Sequence, residues 1–357
     1  MLEERLAVRA RAPVRIDFAG GWTDVAEFCL DEPGFVVNAA ISIYSYVTIL
    51  PGISDLGMDL LSRGELPREG VQIYSSDFDR YVEAKSIRDL EYDGHIDLVK
   101  AALKNSAIEG GLSIITQSQA PPGSGLGTSA AMGVCLLAAL RRYAEITMLK
   151  YQLAEEASRI EREELGIRGG KQDQYSSALG GIQFLEFRGE AVRSSPLDLP
   201  KGTLLELEKS LVLCYTGESR LSGDVHASVA RYFSEGRRET VEAVRGLKRV
   251  ACEMKDALLQ GDVRRFGLLL SKNWSLQKAL HASITTDQIE RLFAVAMKMG
   301  ATGGKACGAG GGGCLLFACR PETEHRVRRV LEENGARIIE FAFDYFGAET
   351  WTTPVEI

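Results

Sequence analysis

Three glycines within five residues mark the strongest chemical feature of the chain, Pro121-Pro122-Gly123-Ser124-Gly125-Leu126-Gly127-Thr128-Ser129-Ala130-Ala131. Glycine lets the backbone turn sharply and bare consecutive N–H groups. The hydroxyls of Thr128 and Ser129 fall where a helix must begin, and a helix start favours an anion. Pro122 to Ser129 can therefore cradle a polyphosphate and leave one hydroxyl for Mg²⁺. The loop is not a Walker A loop, since no Gly-Lys-Ser/Thr ends it, and it fits a Rossmann turn poorly. The competing account is an ordinary glycine turn with a Ser/Thr cap.

Four other segments hold chemistry-bearing side chains. From Tyr151 to Leu165 the residues Leu153, Ala154, Ala157, Ile160 and Leu165 form one helical stripe, and Glu161 and Glu164 fall inside it. A carboxylate facing a core needs a cation, a hydrogen-bond donor or a metal, and the spacing does not choose among them. Asp173, in Gly169-Gly170-Lys171-Gln172-Asp173-Gln174-Tyr175, suits either a general base or a helix N-cap. In Arg11 to Asp24, Arg15 and Asp17 interrupt a strand, and Gly20-Gly21 presents Trp22, Thr23 and Asp24 on a turn. An aromatic ring beside polar groups suits a sugar, although a plain β-turn accounts for the glycines equally well. The run Gly303 to Gly313 lets backbone approach backbone or ligand closely, and it feeds the apolar strand Cys314 to Cys319.

The elements that must carry these groups read as strands first. Leu6 to Ala12, Val14 to Phe18 and Val36 to Leu50 are followed by a loop from Pro51 to Glu69, then strands at Val71–Tyr74, Tyr81–Ala84 and Leu112–Thr116. Helical spacing covers Ile96 to Ser106, Ala130 to Ile146 and Tyr151 to Leu165. The Pro196- and Pro200-containing stretch Ser194 to Lys201 divides the chain into residues 1–195 and 196–357. Beyond it come a strand at Leu211–Tyr215, helices over Arg237–Gln260, Val263–Leu280, Asp287–Met299 and Glu322–Asn334, and a last strand at Ile338–Phe343. The order predicts two α+β layers rather than a doubly wound parallel sheet.

Composition excludes several classes. A formal net charge of −7 argues against a nucleic-acid binder but not against an anionic substrate held by a few local donors. The charged N-terminus and the short apolar stretch at Met132–Leu140 predict no signal peptide and no membrane span. Seven scattered cysteines without a CxxC pair read as reduced thiols in the cytosol, and four histidines without HExxH argue against zinc. A cytoplasmic enzyme is expected, with its oligomeric state open.

Taken in order, the loops resemble the three motifs of the GHMP kinases: Arg11 to Asp24, Pro121 to Ala131, and Lys305 to Gly313 with Gly308, Ala309, Gly310 and Gly311 at its centre. The resemblance implies an N-terminal domain like ribosomal protein S5 domain 2 and a ferredoxin-like C-terminal domain, with ATP and a small-molecule acceptor between them. The stretch Glu161 to Phe187 resembles the heptose 7-phosphate kinases, which act at the anomeric hydroxyl, while Trp22 and Gly123 to Ser129 resemble the L-fucose kinases. It makes Asp173 the base and Arg15 its partner, gives Mg²⁺ to Ser129 and Glu161 with Glu164 as the rival, and assigns Trp22, Thr23, Asp24, Gly170 and Lys171 to the acceptor. Arg168, Lys171, Lys272, Lys278 and Lys305 are the basic residues available for a distal phosphate. The readings set beside a sugar 1-kinase are a mevalonate-diphosphate decarboxylase-type lyase and a non-catalytic sugar sensor.

Overall fold

The computed structural model describes residues 6–52, 70–218 and 223–355. Its strands are β1 (Leu6–Ala19), β2 (Gly34–Pro51), β3 (Val71–Ser75), β4 (Arg80–Ala84), β5 (Leu112–Ser118), β6 (Ile182–Arg188), β7 (Ala191–Pro196), β8 (Leu211–Tyr215), β9 (Ala301–Ala306), β10 (Cys314–Cys319), β11 (Arg337–Ile339) and β12 (Glu349–Pro354). Its helices are α1 (Ala26–Cys29), α2 (Asp97–Lys104), α3 (Thr128–Tyr143), α4 (Lys150–Arg159), α5 (Gln172–Leu179), α6 (Lys201–Ser210), α7 (Gly223–Ser234), α8 (Arg238–Leu259), α9 (Val263–Leu280), α10 (Asp287–Met299) and α11 (Glu324–Glu333). Beyond Gly52, the loop expected over Pro51–Glu69 lies outside the described residues.

The first sheet runs β12-β1-β2-β5-β3-β4, with β6 also on β2 and β7 on β6. The length of β2 allows this: its first half pairs with β6 and its second half with β5. The β3–β5 pair is parallel, and the other pairs are antiparallel. The second sheet, β11-β8-β10-β9, is antiparallel throughout. Two α+β layers result, as the order of elements predicts.

Each layer has its own core, and a third cluster joins them. Val134, Leu137 and Leu140 of α3 pack under the first sheet against Ile49 and Ile114. Leu247 of α8, Leu292 of α10 and Leu331 of α11 cover the second sheet. Between the layers, Ile16 and Phe18 of β1 meet Val250 and Met254 of α8 and Phe266 of α9. The outcome for α8 follows from its stripe, since Val244, Leu247, Val250, Ala251, Met254 and Leu258 all fall on its buried side.

Three features depart from the expected layout. The last strand is not Ile338–Phe343. Only Arg337–Ile339 pairs with β8, and the chain then crosses back so that β12 extends the first sheet beside β1. Residues 196–357 therefore contribute a strand to the first sheet as well as the whole of the second. Four helices, α1, α5, α6 and α7, and three strands, β6, β7 and β9, occupy stretches with no such element expected, and the helix that starts at Lys150 changes character at Ile160.

Candidate active site

An open cleft collects side chains from β1, the loop before α3, the turn after α4, the start of α5, α7, and the loop between β9 and β10. Two irregularities in β1 help aim them. Its register against β2 shifts between Pro13 and Val14 and again between Asp17 and Ala19, so Arg15 and Asp17 lie between two bulges. Bulges redirect side chains from the plain alternation of a strand.

Glycine is required where the loops meet. Gly127 has φ +75, and a Cβ there would stand 3.0 Å from the Asp173 carboxylate. A Cβ on Gly308 would stand 2.7 Å from the Cα of Gly125, so the second and third motifs touch backbone to backbone. Gly123, Ser124, Gly125, Gly127, Thr128 and Ser129 line the cleft. Pro122 and Leu126 do not. Leu126 is buried, and its carbonyl accepts the Arg15 N–H at 2.9 Å. Gly308 and Ala309 also line the cleft, whereas Gly310 packs on Ile284 and the Gly311 N–H donates to the Ile284 carbonyl at 2.6 Å.

Arg15 and Asp173 meet as fork to fork. Nε donates to Oδ1 at 2.6 Å and Nη2 to Oδ2 at 2.7 Å, while Nη1 donates to the Gly125 carbonyl at 2.6 Å. Burial opposes the Arg15 charge, but Asp173 more than offsets it and raises the guanidinium above its ordinary value. Asp173 is neither in a loop nor an N-cap. It is the second residue of α5, whose cap position is Lys171. A carboxylate in a first turn also gains from the unsatisfied N–H groups of the helix.

Glu161 and Glu164, the two rivals for Mg²⁺, are sent in different directions by a widened turn. From Ile160 to Glu164 the helix is π-type, with the Leu165 N–H donating to the Ile160 carbonyl at 3.1 Å. Such turns concentrate at functional sites because they re-aim side chains within one helix. Glu161 enters the cleft, accepts the Ser129 hydroxyl at 2.7 Å and accepts Gln174 Nε2 at 2.6 Å. Glu164 turns away and is taken up by Tyr92 and Asn105. Desolvation, and then the charge of Asp173, raises the Glu161 carboxyl above its ordinary range. A half-buried carboxylate whose partners are a hydroxyl and an amide, neither cationic, fits a site for Mg²⁺. That ion commonly takes one or two protein oxygens and completes its shell with phosphates and water. No group of three or more His, Cys, Asp or Glu forms a metal cluster among the described residues.

The sugar turn differs from its expected form. Asp24 is 4% exposed, and its Oδ2 accepts the Gln172 N–H at 3.1 Å. Burial first, then the Asp173 charge, pushes its carboxyl up to about 7. Gly170 lies against it, since a Cβ there would fall 1.8 Å from Oδ2. Thr23, expected to face the acceptor, is fully buried and does not line the cleft. Its hydroxyl is committed to the Gly20 carbonyl at 2.7 Å and the Phe35 carbonyl at 2.9 Å. Trp22 holds φ 79, a costly conformation for an aromatic residue, and borders the cleft while only 7% exposed. The ring of His226 on α7 covers it at 4.5 Å.

Of the five basic residues named for a distal phosphate, four are committed elsewhere. Lys171 does not line the cleft. Its ammonium reaches Glu155 at 2.8 Å and Glu190 at 2.7 Å, clamping the start of α5. Lys305 is fully buried on β9, with Asp17 at 2.9 Å. Lys272 pairs with Glu253 and Lys278 with Glu290. Arg168 lines the cleft. His226, Gln174 and Arg162 also reach this cleft, and none was among the expected site residues. His226 could have been found, since Val225, Val229 and Phe233 recur at helical spacing around it. The seven cysteines are all free. No helix among the described residues is long and apolar enough to cross a membrane.

Two profiles complete the case for the class. The GHMP kinases N terminal domain matches residues 95–181, and the GHMP kinases C terminal domain matches residues 254–337. The chain belongs to the GHMP kinase family and is an ATP-dependent phosphotransferase that acts on an alcohol group of a sugar. A D-glycero-alpha-D-manno-heptose 7-phosphate kinase of Campylobacter jejuni is 31% identical over 352 residues, covering 96% of this chain and 98% of its own. The solved structure of a D-glycero-D-manno-heptose 1-phosphate kinase from Bacteriodes thetaiotaomicron is similar at a TM-score of 0.77 and 31% identity, covering 96% of this chain and 98% of that one. A bifunctional fucokinase/GDP-fucose pyrophosphorylase of Arabidopsis thaliana is 28% identical over 341 residues, which is 91% of this chain and 31% of that longer protein.

Proposed function

We propose that the chain transfers the γ-phosphoryl group of ATP to the anomeric hydroxyl of a heptose 7-phosphate, giving the 1,7-bisphosphate and ADP. The observation that carries this reading is the Arg15–Asp173 fork set between the phosphate loop and Asp24 within one cleft. The heptose is favoured by the names of the two relatives that match over nearly their whole length.

The polyphosphate of ATP lies over Gly123 to Ser129, where backbone N–H groups and the start of α3 meet its charge. Ser129 and Glu161 would hold Mg²⁺, which neutralises charge on the phosphoryl oxygens. Asp173 accepts the proton of the acceptor hydroxyl as that oxygen attacks phosphorus and the bond to ADP breaks. Arg15, donating to both carboxylate oxygens, fixes the direction of Asp173. Asp24 and Trp22, backed by His226, form the wall against the sugar. This arrangement suits phosphoryl transfer, which asks mainly for positioning and charge neutralisation.

The test compares kcat/KM for the heptose 7-phosphate, its dephosphorylated form and L-fucose, with the product site read by phosphorus NMR. The expected result is strong preference for the heptose 7-phosphate and a new anomeric phosphate. Preference for L-fucose, the second reading favoured by the fucokinase relative, would reject the heptose acceptor and leave the kinase class standing.

A further inference from the structure

We propose that Arg162 and Arg168 form an anion site in the cleft wall and bind the distal phosphate of the acceptor. The inference rests on the phosphorylated-acceptor reading above. The charges of the cleft argue for it first. Asp17, Asp24, Glu161 and Asp173 all border this space, and of its cations Arg15 is spent on Asp173. An acceptor carrying a phosphate dianion into such a cleft needs donors not already neutralised.

Elimination narrows the donors. Lys171 and Lys305 are buried in ion pairs outside the cleft lining, and Lys272 and Lys278 are paired with Glu253 and Glu290. Arg168 borders the cleft and has no carboxylate partner among the described residues.

Arg162 joins it because of the π-type turn. Following Glu161 directly, it borders the same cleft, so two adjacent residues of one helix both serve it. Its one ion pair among the described residues, with Glu190, is long at 3.7 Å, and Glu190 is held more closely, at 2.7 Å, by Lys171. Lys171 therefore satisfies Glu190 and leaves the Arg162 fork available. Beside Arg168 the chain leaves room: Gly169 borders the cleft, and a Cβ built on it meets nothing within 4 Å. Two guanidinium forks offer the paired donors that phosphate oxygens accept best.

The experiment measures kcat/KM for heptose 7-phosphate and for the dephosphorylated heptose in wild type, Arg162→Ala, Arg168→Ala, the double variant and Arg168→Lys. Each alanine variant should reduce the wild-type preference for the phosphorylated acceptor about 10- to 100-fold, chiefly through KM, the scale of charge-assisted hydrogen bonds. The double variant should bring the ratio close to one, and Arg168→Lys should recover part of it. A double variant that melts normally and keeps the full wild-type ratio would overturn the arginine site while the acceptor reading stands. A wild-type enzyme with no preference for the phosphorylated acceptor would remove the acceptor reading, and this site with it.

Discussion

Asp24→Asn should make the protein more stable relative to wild type as pH rises. The carboxyl is 4% exposed, and burial with the nearby Asp173 charge lifts it from an ordinary 3.8 to about 7. A raised acid binds its proton more tightly in the folded state than in the unfolded chain. Its penalty is absent below the unfolded value, grows as pH climbs from 3.8 through 7, and is complete above that. The full shift corresponds to about 4 kcal/mol, an order-of-magnitude ceiling. Of this, about 2.7 kcal/mol falls between roughly pH 5 and roughly pH 8.5. Asparagine keeps an oxygen to accept the Gln172 N–H and carries no charge, so it removes the pH-dependent part and leaves the hydrogen bond. Urea unfolding of both proteins across that range gives the difference directly. Any fixed packing cost of asparagine shifts the curve without tilting it. A stability difference flat with pH would show that Asp24 titrates normally and that its burial has been misjudged.

The other expected outcomes follow from the same cleft. Asp173→Asn should fold and bind ATP but lose roughly 10²- to 10⁴-fold in kcat, the scale of a general base; near wild-type turnover would remove it from that role. Ser129→Ala and Glu161→Ala should each raise the Mg²⁺ concentration for half-maximal rate, and Glu164→Ala should shift it far less, because Glu164 is spent on Tyr92 and Asn105. If Glu164→Ala proves the most sensitive of the three in a Mg²⁺ titration, the metal assignment moves. Lys305→Met should destabilise by about 3–5 kcal/mol, since it leaves a buried carboxylate unpaired. Asp17 Oδ1 already lacks a hydrogen-bond partner among the described residues. Chemical denaturation checks it, and a double change of Asp17 and Lys305 to apolar residues should recover much of the loss.

The chemistry-bearing loops were legible because glycine density and hydroxyl placement are local signals. So were α9 and α10, whose apolar periodicity is bounded by sharp caps such as Thr286 and Gly300. β12 was not legible, for a physical reason. Its side chains stay largely in water, so no apolar alternation marks it, and the residues it pairs with on β1 lie at least 338 positions away in the sequence. Lys171 and Lys305 misled because a lysine near a glycine loop reads alike whether it faces a ligand or a buried carboxylate. Their partners, Glu155, Glu190 and Asp17, are brought to them only by the fold. The π-type turn that separates Glu161 from Glu164 is likewise invisible to a regular 100° count.

The return of β12 to β1 also sets the order in which the protein can be finished. During synthesis β1 emerges long before β12, so the edge from Leu6 to Arg11 stays unpaired until the strand through Pro354 arrives. At about 5–20 residues per second that wait is on the order of tens of seconds. An open strand edge is a template for joining other chains. A nascent chain is thus exposed to association at the strand that also carries Arg15 until β12 has been made. Cutting the chain before Glu349 should accordingly yield aggregated material rather than a soluble, inactive kinase.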